Sequence, residues 1–407
     1  MIFGTGISQI IFVLSSPLLS RIYSPESFGV FATLFAIISI LSTFTSGRYE
    51  LATVLPKENY NSNNLVLLTI FVSLFSVFLV TSIIFIFNDY LEDIFNVNIS
   101  TWIFFIPLAV LAVNIFNIFT YHNIRHKKYE DLSTSKIIKS ASLILIQVSI
   151  GIFDNSVFGL LAGHIFSHFI GSIKLFFNSL KNNLFEDMSL KKIKDLSCKY
   201  SNFPKYDAPS SILDIASIQL PFLLMIKIGG EIVSGNFFLA SRVISIPSSL
   251  IGQSIGQVYF QELNEAKNMQ GMSSNLLKST IKKLIVIASP FTVVIYFLSP
   301  YLFPIIFGDK WVLGGEIAQY LAIVSWIQLI TVPLSSTLSL NRFIRRGAFW
   351  KVFKFLILIS IYIYGIFFSL DFFQFLLYLT ILQFSLYVFY LAIIIKSVYD
   401  IEKGFKE

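Results

Sequence analysis

One arginine stands in an apolar stretch where a permanent charge is unexpected. Residues 237–250 read FFLASRVISIPSSL, and no Asp or Glu occurs within ten positions of Arg242 on either side. At 100° per residue, Arg242 shares one helical face with Ser245, Ser249 and Gln253. A guanidinium is always charged, and its fork of N–H donors matches phosphate oxygens. This face predicts a contact for an anionic group, and the alternative is an internal ion pair.

Two carboxylates lie on the apolar segment that precedes Arg242. Asp207 and Asp214 share a helical face with Ser210 and Ser217. A carboxylate in apolar surroundings can bind a proton or a cation, and Asp214 is the stronger candidate because Asp207 also fits a helix cap at DAPSS. Asp214 is equally the candidate partner of an Arg242 ion pair, so both interpretations stay open.

Asparagines form a further polar face. Asn114 and Asn117 lie on one side of the apolar segment 101–121. Several helices with inward polar faces would line a hydrated cavity, whereas polar side chains also serve in close helix packing. Both interpretations remain for Asn114 and Asn117.

Histidines occur in two i, i+4 pairs. His164 and His168 fall within an apolar segment and could share a proton or a metal, but the segment has no acid, which favours packed or cavity-facing neutral rings. His122 and His126 stand beside RHKKYED, and we interpret them as a solvated flank.

Long apolar helices must position these residues. The 407 residues are 55% hydrophobic and 13% charged, with mean hydropathy +0.75, whereas soluble domains carry about 25% charged residues. This composition excludes a soluble protein. The Lys and Arg residues that give the net charge of +7 are clustered between apolar blocks, as expected for the flanks of membrane spans. This placement argues against a nucleic-acid partner. The single cysteine, Cys198, excludes an internal disulfide and a cysteine-based zinc site.

Apolar runs predict an all-α polytopic membrane protein with about twelve spans, because a hydrocarbon core of about 30 Å needs roughly 20 helical residues. The predicted spans are 3–20, 28–46, 64–87, 101–121, 136–153, 157–176, 211–228, 234–257, 281–300, 313–335, 350–369 and 373–395. In this assignment Arg242 lies on the order of 12 Å below the outer boundary, at 1.5 Å per residue.

Positive charge predicts the orientation of the chain, since loops rich in Lys and Arg stay in the cytoplasm. With both termini cytoplasmic, all but four of the 30 Lys and Arg fall at cytoplasmic connections or flanks. The exceptions are Arg21 and Lys310 on the outside and Lys227 and Arg242 within spans. This alternation supports an even number of spans.

The longest connection divides the spans six and six. It contains KNNLFEDMSLKKIKDLSCKYSNFPKY and joins an N-terminal six-helix lobe, 1–176, through a cytoplasmic linker, 177–210, to a C-terminal six-helix lobe with a cytoplasmic tail, 211–407. We find no phosphate-binding loop, no G-x-G-x-x-G fingerprint and no H-E-x-x-H motif. We therefore expect no enzymatic activity, no cofactor and no metal.

Ordered motifs along the chain resemble those of the polysaccharide-biosynthesis flippases, which handle O-antigen and other oligosaccharides. They are SPLLSRIYSPESFGVFATLFAIISILSTFTSGRYELATVLPK, FPKYDAPSSILDIASIQLPFLL, RVISIPSSLIGQSIGQVYFQELNEA and LFPIIFGDKWVLGGEIAQYLAI. The resemblance covers nearly the whole chain. It implies the fold of the multidrug/oligosaccharidyl-lipid/polysaccharide exporters, with two six-helix lobes around a central cavity.

The resemblance also implies a substrate and a location. The substrate is an undecaprenyl-diphosphate-linked oligosaccharide, moved from the cytoplasmic to the periplasmic leaflet of the inner (plasma) membrane for O-antigen or other surface polysaccharides. The implied partners are this lipid-linked oligosaccharide, membrane lipids, a polysaccharide polymerase and chain-length machinery. Family positions match Arg48 and Glu50 of GRYELA, Asp207 of KYDAPS, and Arg242 with Gln253 and Gln257.

Two other function classes fit parts of the pattern. An ion-coupled exporter of drugs or other small molecules would have the same helix count, but it would favour acidic or aromatic lining residues over a deep arginine. A membrane O-antigen polymerase would need a sizeable outer loop, and every predicted outer connection is short. We expect Arg48, Arg242, Ser245, Ser249, Gln253, Gln257, Asn114 and Asn117 to contact substrate, and Asp214, Asp207 and Glu50 to serve in coupling.

Overall fold

The structure is a computed structural model that describes residues 2–88, 90, 101–186, 188–266, 272–340 and 343–403. Regular structure within these ranges is helical and contains no strand. The helices are α1 (Ile2–Ile22), α2 (Pro25–Thr45), α3 (Tyr49–Ala52), α4 (Asn59–Ile86), α5 (Ile106–Arg125), α6 (Tyr129–Gly151), α7 (Val157–Lys181), α8 (Leu190–Lys199), α9 (Ala208–Ala266), α10 (Met272–Phe307), α11 (Val312–Leu334), α12 (Ile344–Phe367) and α13 (Phe372–Lys403).

Serine caps begin several of these helices. The Ser24 hydroxyl accepts a hydrogen bond from the Ser27 backbone N–H, and Pro25 follows at the first helical position of α2. Ser156 and Ser189 cap α7 and α8 in the same way. A cap satisfies one of the backbone donors that a helix start leaves without a partner, and proline at the first position has no such donor to lose.

Within the described ranges, ten helices are long and apolar enough to cross a membrane. The sequence predicts twelve spans, and each predicted segment falls on a helix to within a turn. The difference arises in two places. Residues 208–266 follow one another as helix with no intervening loop and a break at Gly230, so one candidate span, Phe203–Ser245, contains the predicted span 211–228 and the first part of 234–257. In addition, α6 carries Glu130, Asp131, Lys136 and Lys139, which lower its hydropathy.

A single glycine interrupts α9 between those two predicted spans. Gly230 has φ 75° and ψ −173°, a conformation that is essentially restricted to glycine. The break coincides with the gap that the sequence predicts at residues 229–233. The two parts of α9 therefore behave as two helical segments joined at Gly230.

The chain divides into two compact units, Met1–Leu223 and Leu224–Glu407. In the first unit, α7 packs along α5 and α6, and α1 packs along α6. Tyr23 at the end of α1 is buried, and its hydroxyl donates a 2.6 Å hydrogen bond to the Gln147 carbonyl of α6. Its core contains Val66, Phe116, Ile118, Phe119, Leu132, Leu175 and Leu184.

The second unit is built on α10, α11 and α13. Its polar contacts join distant segments: the hydroxyls of Tyr259 and Thr337 lie 2.9 Å apart, and Arg346 of α12 contacts Asp400 of α13 at 2.6 Å. Trp311, in the short connection between α10 and α11, is fully buried. Polar contacts of this kind fix the packing of helices whose apolar faces alone would be interchangeable.

Candidate functional site

Three sequence-predicted site residues come together in the first unit. Arg48 Nε donates a 2.9 Å hydrogen bond to Asp207 Oδ2, and Arg48 Nη1 lies 3.6 Å from Glu50 Oε1. One guanidinium thus stands between two carboxylates from separate parts of the chain. We call Arg48, Glu50 and Asp207 the arginine–carboxylate cluster.

Arg48 lies in a turn with two consecutive left-handed residues. Gly47 and Arg48 follow α2 with φ angles of 60° and 59°, both in the left-handed region. The Arg48 N–H donates to the Ser46 hydroxyl at 3.2 Å, and α3 begins at Tyr49. A left-handed conformation costs a non-glycine residue about 1–2 kcal/mol. The turn therefore holds Arg48 in a conformation that the residue does not favour, which is characteristic of functional positions.

Glu50 is the buried member of the cluster. The residue is 3% exposed, and its Oε2 atom has no hydrogen-bond partner among the described residues. Burial raises the pKa of this carboxyl, and the Ser46 hydroxyl and Arg48 oppose the shift only in part. A carboxyl in this environment is suited to holding a proton.

Asp207 is the accessible member of the cluster. It ends a short π-helical turn, Phe203–Asp207, directly before α9. Its side chain is 40% exposed, compared with 25% for Arg48. The sequence also allowed Asp207 as a helix cap, and in the structure its carboxylate bonds to Arg48.

A short amphipathic helix packs beside the arginine–carboxylate cluster. Residues 190–199 form α8, which packs on α4 and α3 through Leu196. The Tyr49 hydroxyl donates to the Ser197 carbonyl at 3.2 Å. The predicted linker 177–210 therefore contains a helix that is anchored to the first unit beside Glu50.

Arg242 lies on α9 in the second unit. It is half-buried, and its guanidinium carbon lies 4.9 Å from the centre of the Phe238 ring, a cation–π contact. Ser245 is exposed, and its hydroxyl donates to the Arg242 carbonyl at 3.0 Å. Gln257 is exposed, whereas the side chains of Ser249 and Gln253 lie outside the described residues.

Asn114 and Asp214 occupy different environments. Asn114 is 1% exposed, and its amide donates to Thr45 Oγ1 at 2.8 Å and to Ser73 Oγ at 3.4 Å. These contacts join α5 to α2 and α4, as the packing interpretation expects. Asp214 and Asn117 are half-buried in the same unit.

The prediction that His122 belongs to a solvated flank is wrong. The residue is fully buried, with Nδ1 2.8 Å from Ser179 Oγ and Nε2 3.1 Å from Asn63 Oδ1. Its partners lie on α7 and α4, which are distant from His122 in the sequence. The residues next to His122 therefore do not indicate that it is buried. Among the described residues, no group of three His, Cys, Asp or Glu side chains could hold a metal ion.

Comparison with solved structures shows the fold. A multidrug resistance MATE family transporter of the MOP superfamily, in an inward-facing conformation, has a TM-score of 0.75 at 12% identity, over 97% of this chain and 96% of that chain. The lipid II flippase MurJ, inward closed, has a TM-score of 0.66 at 15% identity, over 98% and 89%. A MOP superfamily transporter from Pyrococcus furiosus, described as having a binding pocket of reverse polarity, has a TM-score of 0.63 at 12% identity, over 99% and 95%.

Comparison with family models shows the family. No curated protein matches the chain. The model described as "Polysaccharide biosynthesis protein" matches residues 18–313, which include the arginine–carboxylate cluster and Arg242. The resemblance and the all-α polytopic membrane fold expected from the sequence are both confirmed. The chain therefore belongs to the polysaccharide biosynthesis protein family and has the fold of the MOP superfamily transporters.

Proposed function

We propose that this protein is a flippase that moves an undecaprenyl-diphosphate-linked oligosaccharide from the cytoplasmic to the outer leaflet of the plasma membrane. The family match over residues 18–313 carries the proposal. The flippase among the similar folds, and the placement of Arg48 between two carboxylates, support it.

The physical problem is to move a charged, hydrated head group through hydrocarbon. An unpaired charge in a low-dielectric medium costs tens of kcal/mol in the idealised Born limit. The polyprenyl tail can stay in lipid, so the protein has to supply contacts for the diphosphate and the sugar alone. Arginine is suited to the diphosphate because its N–H donors bind two phosphate oxygens at once.

The cluster can exchange one anion for another. The partly exposed Arg48–Asp207 pair, which is held by one hydrogen bond from Nε, contributes about 0.2–1 kcal/mol, whereas a bidentate phosphate contact makes two parallel hydrogen bonds to the guanidinium. A diphosphate that binds Arg48 in bidentate fashion can therefore displace Asp207. Glu50 is buried and stays in place, and holding a proton there would reduce its repulsion of the incoming anion.

Arg242 supplies a second contact in this proposal. It sits on α9 and is half-buried. Arg48 belongs to the first unit and Arg242 to the second. A substrate that engages each in turn would move by alternating access, with the polysaccharide polymerase and chain-length machinery acting on the product.

Export of a drug or another small molecule is the second candidate. Likeness to the multidrug transporter, with a TM-score of 0.75, favours it. Arg242 argues for an anionic substrate, because a cationic drug would meet like charge there. The similar solved structures are transporters and flippases, which agrees with a role in transport and not in catalysis.

Complementation tests the proposal. A bacterial strain without its own oligosaccharide flippase receives this chain together with a cognate glycan pathway, and surface glycan and accumulated lipid-linked precursor are measured. We expect the wild-type chain to restore glycan. Arg48→Ala and Arg242→Ala should each reduce it roughly tenfold or more, by loss of a charged hydrogen bond. Arg21→Ala, at an exposed arginine outside the cluster, is the matched control. If the wild-type chain restores no glycan in its cognate pathway, the proposal fails.

A further inference from the structure

Arg125, the last residue of α5, binds the connection between α3 and α4. Its Nη1 donates to the Pro56 carbonyl, and its Nη2 donates to the Lys57 carbonyl and to Asn59 Oδ1, each at 3.1 Å. Two of these three acceptors are backbone atoms. A planar guanidinium holds several acceptors in one arrangement, whereas a lysine ammonium is a point charge on a flexible stem. Arg125 therefore fixes the path of the backbone at this connection.

The bound connection leads directly back to Glu50. The Thr53 hydroxyl donates to the Glu50 carbonyl at 2.7 Å, and the Thr53 N–H donates to the same oxygen at 3.3 Å. The Leu55 N–H donates to the Ala52 carbonyl at 3.1 Å. A continuous series of backbone contacts thus joins α3 to the residues that Arg125 binds.

The short helix α3 depends on its surroundings. It has four residues, and isolated helices of fewer than about 12 residues are marginal in water. Packing on α4 and α5 and the hydrogen bond from Tyr49 to Ser197 hold its body and its start. At its other end, the Ser62 hydroxyl of α4 donates to the Thr53 carbonyl at 2.7 Å. What lies beyond Thr53 then decides how firmly this end is held.

Beyond Thr53 the connection has little packing of its own. Val54 and Leu55 are exposed, and so are Lys57 and Glu58. Pro56 is buried in this stretch, and its carbonyl is the one that Arg125 Nη1 binds. Polar contacts from Arg125 therefore constrain a stretch that apolar packing holds only at Pro56.

We propose that Arg125 is a positioning residue for the arginine–carboxylate cluster. It holds the connection after α3, so that α3 and the left-handed turn before it place Arg48 beside Asp207 and Glu50. A non-glycine residue keeps a left-handed conformation only where the surrounding structure enforces it. Among the described residues, the hydrogen bonds of Arg125 go to the connection and not to the cluster, so Arg125 acts through the backbone. Its effect on transport rests on the proposed function.

Hydrogen exchange tests the positioning role without any substrate. The full-length protein in lipid nanodiscs is compared with Arg125→Lys, which keeps the charge but not the planar fork of donors. Lys57→Gln is the matched control, since it removes an exposed charge from the same connection and keeps the carbonyl of residue 57. We expect the Thr53 and Leu55 amides to exchange roughly tenfold faster in Arg125→Lys, because the hydrogen bonds that restrain them are loosened. The control should match the wild type. Unchanged exchange at both amides in Arg125→Lys overturns the proposal.

Transport kinetics separate positioning from a merely structural role. The rate of movement of the lipid-linked sugar in proteoliposomes is measured against its concentration. We expect Arg125→Lys to raise the half-saturating concentration several-fold and to leave the maximal rate nearly unchanged, because Arg48 is still present but less well placed for binding. Lys57→Gln should change neither value.

Two outcomes separate this role from the proposed function. A lower maximal rate with an unchanged half-saturating concentration would indicate only a loss of folded protein, and it would overturn the positioning role. If the wild-type protein moves no lipid-linked sugar while the Thr53 and Leu55 amides still exchange faster in Arg125→Lys, the proposed function fails and the placement of the turn by Arg125 stands.

Discussion

Arg48 Nε and Asp207 Oδ2 lie 2.9 Å apart, although the two residues are 159 positions apart in the sequence. The pair joins the left-handed turn after α2 to the start of α9. It lies where both side chains keep partial exposure, and the more deeply buried Glu50 stands beside it. In the proposed function, Asp207 is the partner of Arg48 that an incoming diphosphate would displace.

Arg48→Ala should greatly reduce transport while changing the stability of the protein only slightly. An accessible ion pair contributes about 0.2–1 kcal/mol, and the left-handed backbone costs alanine as much as arginine, so the unfolding free energy should fall only by the small contribution of the ion pair. Thermal unfolding in detergent measures the stability, and surface glycan in the complementation assay measures function. A large drop in stability that matches the loss of glycan would contradict a direct role of Arg48 in binding.

Glu50→Gln should change the pH dependence of stability. Burial raises the pKa of Glu50 above its usual value of 4.5, so the folded protein binds a proton more tightly than the unfolded chain. The stability linked to this proton is fully present below pH 4.5 and is lost as pH rises through the raised pKa. The variant should therefore lose less stability than the wild type over this window.

Unfolding of the two proteins across that pH range is the measurement. Glu58→Gln, at an exposed glutamate on the same connection, is the matched control and should follow the wild type. Identical pH profiles for Glu50→Gln and the wild type would show that the Glu50 carboxyl is not shifted.

Gly230→Ala should destabilise the second unit through backbone strain alone. A Cβ at this position would meet no atom within 4 Å, but the φ of 75° is unfavourable for any side chain. The cost should be about 1–3 kcal/mol. Gly6→Ala is the control, since it also meets no atom within 4 Å and lies in α1 without positive φ. Equal unfolding temperatures for the two variants would contradict the break in α9.

Asn114→Ala should lower stability more than Asn117→Ala. Asn114 donates to Thr45 and Ser73, whereas Asn117 is only half-buried. Interhelical hydrogen bonds in membrane proteins contribute about 0.6 kcal/mol on average and up to about 1.7 kcal/mol. Unfolding of both variants in detergent measures the difference. If the Asn114→Ala protein is as stable as the wild type but does not transport, Asn114 contacts the substrate and does not serve in helix packing.

Much of the fold was predictable because it depends on local composition. Apolar runs locate the helices, and the gap at residues 229–233 contains the glycine that breaks α9. The site was predictable only in part. Family motifs pointed to Arg48, Glu50 and Asp207 separately, but nothing local indicated that the fold joins them.

Contacts between helices distant in sequence explain the misses. His122 lies in a basic stretch for which the sequence predicts a solvated flank, but it is buried against hydrogen-bond partners from α4 and α7. Lys139 was counted among the cytoplasmic flanking charges, and its contact with His168 depends on how α6 packs on α7. Periodicity locates a helical face, but it does not identify the residue that the face meets.

The most direct test of the flippase account is transbilayer movement in proteoliposomes. The purified protein is reconstituted with a fluorescent undecaprenyl-diphosphate-linked oligosaccharide, and its movement between leaflets is compared with that of a monophosphate analogue bearing the same sugar. We expect rapid movement of the diphosphate substrate, slower movement of the monophosphate, and near-background movement with Arg48→Ala. Movement no faster than in protein-free vesicles, or movement of a cationic drug in place of the lipid-linked sugar, would contradict it.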